Sequence, residues 1–371
     1  MKRAILYVLL LSLCLAGCGG ATSGEAPAAE LSAEELCELG RDAAEAKDYE
    51  KAMAYFQLAA DREYAEGWRG IGTLYYNGEG VERSLEKARE YWQLAADRGD
   101  ARALYNLGYL YGSGEGVERS LEKAREYYQL AADRGNAGAM TVLGNMALFG
   151  EGGEQSYEDA LRYYQAAADL GDAGGQYDVG MMYYNGYGVE RSYEKALEYW
   201  QLAAAQGNGY ALSGLGGLYA EGHGVEQDFE KARTYYEQAL EQDAAPALVG
   251  LGDLYAAGSG VEQDYVKARE YYRQAADRGV AYAYVGLGML YHDGLGVEQD
   301  YAKAAQLFQK AADQGIGDAL FCLGEMHRNG EGVEQDYEKA AEYYRKAAEL
   351  GVEEAAGRLN ELLEAGHIPE A

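Results

Sequence analysis

Between Ala101 and Tyr111 the apolar side chains fall at positions 103, 104, 107, 110 and 111, with Gly108 beside them. Spacings of one, three and four place them on a single helical face. Gly114-Glu-Gly116-Val117 breaks that pattern, because glycine accepts the left-handed backbone of a helix exit. A second helix is expected from Ser120, which can cap it, with Glu122 in its positive first turn. Ala124, Tyr127, Tyr128, Ala131 and Ala132 form its apolar face, and Gly135 ends it. The segment therefore predicts two antiparallel helices, and no strand-like alternation persists anywhere in the chain.

The same figure returns along the chain. Glycine stands at 72, 108, 144, 180, 216, 252, 288 and 324, a step of 36 residues. A second set runs from Gly78 to Gly330 and a third from Gly80 to Gly332 at the same step, except that Gly153 follows Gly152 where other copies have valine. A fixed period of this size means stacked units that bury their apolar faces only against neighbours. It overrides the two or three domains that 371 residues would otherwise suggest. A glycine in mid-helix costs roughly 1 kcal/mol against alanine. Eight of them predict the close approach of a neighbouring helix, tolerable only without a Cβ.

Departures from the figure mark special joints. The first pair runs from Gly40 to Lys51-Ala52 with a turn four residues shorter. In the fourth pair, Ala147 replaces tyrosine or histidine, which predicts the loosest packing. Asp243 replaces a terminal glycine, and Pro246 opens the next helix, a position proline suits. Glu353 to Glu364 reads as a lone closing helix.

The unit resembles the Sel1-like repeat, a relative of the tetratricopeptide repeat. The likeness rests on Ala103, Leu107-Gly108, Leu110-Tyr111, Gly114-x-Gly116-Val117, Lys123-Ala124, Tyr127-Tyr128, Ala131-Ala132 and Gly135. It implies an all-α, right-handed superhelical solenoid of about nine antiparallel helix pairs plus a C-terminal capping helix. Residues 31–63 are then a tetratricopeptide-like cap, 64–351 eight repeats, and 352–371 the closing helix and tail.

The N-terminus is a separate object. Lys2 and Arg3 precede an apolar run from Ala4 to Leu13, followed by Leu15-Ala16-Gly17-Cys18. This order describes an export signal over 1–17. Leu-Ala-Gly-Cys resembles a bacterial lipobox, which implies lipidation of Cys18 and a membrane tether over 18–30. A plain signal peptide or a short anchor is the alternative. Gly19 lacks the aspartate that the resemblance links to inner-membrane retention, so a host with two membranes would carry the protein on the outer one. Cys37 and Cys322 fall in the first and last pairs and are not expected to pair.

Sixty-two acidic against 32 basic residues give a net charge of −30. Such a surface repels nucleic acid and permits a basic partner. Ser84, Ser120 and Ser192 each stand three residues before a lysine, the spacing of the nucleophile in penicillin-recognising enzymes. Asp228, Asp264, Asp300 and Asp336 occupy the same position, however. Serine and aspartate are interchangeable as helix caps but not as acyl acceptors. The histidines show no zinc spacing, so neither a metal nor another cofactor is expected.

The positions that vary between copies are spaced one turn apart on the first helices. They include Arg69, Arg102, Tyr105, Tyr109, Asn145, Tyr177, Met181, Tyr210, Tyr282, Met289 and Phe321. In the resembling family the first helices line the concave wall. A stripe of Tyr, Met, Asn and Arg changing layer by layer has the composition of a recognition surface. The expectation is a monomeric, non-catalytic adaptor on the bacterial envelope that binds a protein or peptide. The alternatives are an envelope hydrolase with β-lactam-type activity and a passive spacer.

Overall fold

The computed structural model describes residues 30–369, among which there are 19 helices and no strand. They form an all-α helical solenoid of antiparallel pairs. The chain divides at Arg134/Gly135 into two compact units. The first holds α1 (Ala33–Glu45), α2 (Tyr49–Ala60), α3 (Ala65–Asn77), α4 (Leu85–Ala96), α5 (Ala101–Ser113) and α6 (Leu121–Ala132). The second begins with α7 (Ala137–Phe149), α8 (Tyr157–Asp169), α9 (Ala173–Asn185), α10 (Tyr193–Ala205), α11 (Gly209–Glu221) and α12 (Phe229–Glu241). It continues with α13 (Pro246–Ala257), α14 (Tyr265–Asp277), α15 (Tyr282–Asp293), α16 (Tyr301–Ala312), α17 (Gly317–Asn329), α18 (Tyr337–Glu349) and the lone α19 (Glu353–Glu364).

Local chemistry sets each boundary. Gly78 and Gly80 leave α3 at φ of 75° and 70°, a region an L side chain rarely enters. Arg83 Nε then donates to the carbonyl of Tyr76 at 2.9 Å, closing the helix end. Gln227, Gln263, Gln299 and Gln335 do the same for later pairs through their side-chain amides. Asp243 takes the place of a glycine at φ 58°, and Pro246 is the first residue of α13, as the sequence suggests. In the first pair only Ala46–Asp48 separates the helices.

The mid-helix glycines have a different cause from the one expected. A Cβ on Gly72 would lie 2.5 Å from Trp92 Cδ1, and one on Gly252 would lie 2.5 Å from Tyr272 Cε1. What needs the room is an aromatic ring from the second helix of the same pair, not a neighbouring helix backbone. The same ring-over-glycine contact recurs with Tyr128, Tyr164, Trp200, Tyr236, Phe308 and Tyr344. These rings and the alanines beside them form the core of each layer.

A second ring series ties the outer sides of the pairs. Tyr75 stacks on Tyr91 at 5.8 Å, and the contact recurs as Tyr111–Tyr127, Tyr183–Tyr199, Tyr219–Tyr235 and Tyr255–Tyr271. His327 takes the tyrosine position against Tyr343 at 5.6 Å, as a packed aromatic substitute. Where Ala147 supplies no ring, Tyr163 is buried, whereas its counterparts are half-buried. There the Arg162 guanidinium lies over the Tyr163 ring, 4.5 Å from its centre.

Candidate functional site

The Ser-x-x-Lys segments resolve into scaffold. Ser120 Oγ accepts the backbone N–H of Lys123 at 3.2 Å, and Asp228 Oδ1 accepts that of Lys231 at 3.0 Å. Serine and aspartate therefore do the same capping work. The lysines turn away to the outer tyrosines. Lys123 Nζ lies 5.2 Å from the Tyr111 ring centre, and Lys231 Nζ lies 4.0 Å from that of Tyr219 while donating to its hydroxyl at 2.7 Å.

In the first unit, Arg69 is an inter-layer clamp. It meets Glu66 at 2.8 Å and Asp100 at 3.1 Å, and Arg41 also contacts Glu66. Arg102 is exposed, and it lines a concavity of about 550 Å³ together with Arg41, Arg69, Glu66 and Asp100. Tyr105 lies on the Tyr128 ring at 5.5 Å. The Tyr109 hydroxyl donates to Glu115 at 3.3 Å, and its ring meets Tyr76 edge-on at 6.4 Å.

In the second unit, Tyr177 is half-buried between the Trp200 ring at 6.3 Å and the Tyr210 ring at 5.9 Å. Tyr210 and Tyr282 keep 54% and 52% of their surface exposed, and Met289 keeps 44%. Met181 packs on the Trp200 cluster, and Phe321 on the Tyr344 ring at 5.8 Å. Asn145 is exposed and accepts the Tyr164 hydroxyl at 2.6 Å. Cys18 lies outside the described residues.

Part of the variation in this stripe has a structural cause. In three pairs the residue following the mid-helix glycine meets the far end of the deep ring. Tyr164, Tyr272 and Tyr344 present hydroxyls, and Asn145, Asp253 and Glu325 accept them at 2.6, 2.6 and 2.5 Å. Phe308 has no hydroxyl, and Met289 stands there instead. Trp200 sends its N–H to the Tyr177 carbonyl at 3.1 Å, and Met181 stands there. Thus Asn145, Met181 and Met289 vary with the ring behind them. The coupling joins positions 19 residues apart on two helices, so the variation of the first helices taken alone does not reveal it.

Charge distinguishes the first-helix side more sharply. In the second unit, α7, α9, α11, α13 and α15 contain neither lysine nor arginine, and the first such residue on a first helix is Arg328. Asp178, Glu221, Asp253 and Asp293 lie on these helices, and Asp318 and Glu325 on α17 before Arg328. Burial pushes the Asp178 carboxyl up to about 7, with Asp172 adding to the effect. Solvent reaches Asp253, yet the protein crowded around it raises its carboxyl pKa; the Tyr272 hydrogen bond opposes this and Glu221 reinforces it.

The model of the Sel1 repeat matches residues 28–64, 69–100, 101–136, 137–172, 173–208, 209–243, 245–280, 281–316 and 317–352. The chain belongs to the Sel1 repeat family. Among solved structures it is similar to c5321, described as a protective antigen of uropathogenic Escherichia coli with an SLR fold. The identity is 31%, the TM-score 0.64, and the match covers 90% of this chain and 72% of that one. A Sel1 repeat protein from Oxalobacter formigenes aligns at 30% identity and TM-score 0.59, over 65% of this chain and 96% of the other. Among curated proteins, "Putative beta-lactamase HcpC" of Helicobacter pylori strain J99 is 35% identical over 86 residues, 23% of this chain. The match spans 27% of that relative's length. Sel1 repeats commonly mediate protein–protein interaction.

Proposed function

We propose that this Sel1 repeat protein is a non-catalytic scaffold held to the bacterial envelope through lipid on Cys18, binding a protein or peptide on its first-helix face. The observation that carries the reading is the surface of the second unit. There Tyr210, Tyr282 and Met289 stay about half exposed on helices that carry six carboxylates and, before Arg328, no lysine or arginine. Large exposed rings and a methionine amid uniform charge suit capture of a complementary chain. A catalytic reading has less support, because the serines and lysines of its motif are occupied as caps and ring contacts.

Crosslinking in the native envelope of the host tests both parts. Replacing Tyr177, Tyr210 and Tyr282 together by Ala is expected to leave the helical signal unchanged and to abolish capture of the crosslinked partner. Undiminished capture by that variant overturns the assignment of the face. Cys18→Ala is expected to move the protein from the membrane fraction to the soluble fraction; unchanged fractionation removes the anchor from the proposal.

A further inference from the structure

One deep ring of the second unit lacks the partner that the pattern above provides. Tyr236 is 7% exposed, and no group among the described residues takes a hydrogen bond from its hydroxyl. Its ring lies between Gly216 on α11 and Gly250 on α13. A Cβ at Gly250 would lie 2.3 Å from Cζ, the carbon that bears the hydroxyl. The residue that should receive that hydroxyl is Gly217, and even a Cβ there would stop 3.9 Å from the Tyr236 oxygen. The buried ring therefore carries a hydroxyl, still reached by solvent, towards the space left over Gly217.

Two carboxylates flank the gap. Glu221 lies one turn beyond Gly217 on α11, and Asp253 one turn beyond Gly250 on α13. Both act electrostatically on Tyr236, and Glu221 acts on Asp253. Each carboxylate is already engaged within the chain through one of its oxygens. The Tyr184 hydroxyl donates to Glu221 Oε2 at 3.2 Å, and His223 Nδ1 lies 2.8 Å from the same oxygen. The Tyr272 hydroxyl donates to Asp253 Oδ1 at 2.6 Å. Glu221 Oε1, Asp253 Oδ2 and the Tyr236 oxygen remain as acceptors. Helices α7, α9, α11, α13 and α15 carry no lysine or arginine, and Lys231 on α12 is committed to Tyr219.

From this geometry we infer that the gap over Gly217 is a subsite for a lysine ammonium of a basic partner peptide, held by Glu221, Asp253 and the Tyr236 oxygen. The inference rests on the first-helix face being the binding face. Three free acceptors match the three donors of an ammonium, whereas a guanidinium presents a planar fork suited to a single bidentate carboxylate. A divalent ion fits less well, since no group of three metal-ligating side chains occurs among the described residues. Burial is the main cause that raises the Asp253 carboxyl, and an added cation would offset both it and the smaller repulsion from Glu221.

The test uses fluorescein-labelled decalysine, read by fluorescence anisotropy in about 0.15 M salt so that distant charges are screened. Gly217→Asn gives Tyr236 the acceptor that Asn145 gives Tyr164 and fills the gap without changing charge. It is expected to weaken binding roughly tenfold or more, the size of a lost charge-assisted contact. The isosteric double variant Glu221→Gln with Asp253→Asn should weaken binding similarly. Glu298→Gln with Glu334→Gln, an equal change of charge on exposed turns, should stay within about twofold of the parent, as expected of screened surface charge. Decalysine acetylated on its amines should not bind.

Binding of Gly217→Asn equal to the parent, equal losses in the two double variants, or no binding by the parent each overturns the subsite. If Gly217→Asn fails to fold by circular dichroism, the Glu221/Asp253 variant decides. Loss of native-partner capture in the Tyr177/Tyr210/Tyr282 variant, with decalysine binding indifferent to Gly217→Asn, rejects the subsite and keeps the face. Silence of both variants rejects both.

Discussion

At the scale of the residue, the decisive choices are absences of a side chain. Gly252 sits under the Tyr272 ring, and alanine there would bring a methyl to 2.5 Å from it. Helix propensity favours that alanine by roughly 1 kcal/mol, but overpacking a fixed ring costs about 1–3 kcal/mol. Gly252→Ala is therefore expected to lower the melting temperature. Gly357, inside α19, has nothing within 4 Å of its Cβ position. Gly357→Ala should accordingly stabilise the end of the chain by about 0.5–1 kcal/mol. Thermal scans of the two variants must move in opposite directions. Two rises would show that the Tyr272 ring yields easily, and that packing does not explain the beat of mid-helix glycines.

At the scale of the element, each second helix begins on a cap whose chemistry varies while its work does not. Ser120→Asp should leave stability near the parent's, since Asp228, Asp264, Asp300 and Asp336 already serve there. Ser120→Ala should cost about 1 kcal/mol. Neither substitution should change turnover of a chromogenic β-lactam by the purified protein, and turnover lost with Ser120→Ala would reinstate the hydrolase. The element boundaries were legible in the sequence because caps, turn glycines and the closing run from Glu353 are local signals. The groove residues were less legible. Asn145 and Met289 vary with a ring 19 residues away on another helix, and Arg69 is engaged by Asp100 of the next pair. Variation between copies marks both unconstrained positions and positions constrained by a partner, and only packing separates the two. Gly217 shows the converse: a missing side chain attracts no notice until the Tyr236 hydroxyl is seen facing it.

At the scale of the whole molecule, a stack in which layers touch only their neighbours must have its last apolar face covered. In the second unit α19 does this. Ala355, Leu362 and Ile368 form one buried cluster with Leu320, Ala340, Ala341, Tyr344 and Ala347. Arg358 adds a 3.2 Å contact to Glu325, the acceptor of the Tyr344 hydroxyl. Ending the chain at Gly351 would remove Ala355, Leu362 and Ile368 and uncover Leu320, Ala341 and Tyr344. Each buried aliphatic side chain contributes about 1.5–3 kcal/mol, enough to unlatch a terminal pair held mainly by its neighbour. Because coupling passes from layer to layer, the loss should be local. Amide hydrogen exchange of the truncated protein is expected to quicken in α17 and α18 while α11 to α14 keep their protection. A uniform loss of protection across the second unit would mean that it unfolds as one cooperative body, and the layer-by-layer description would then fail.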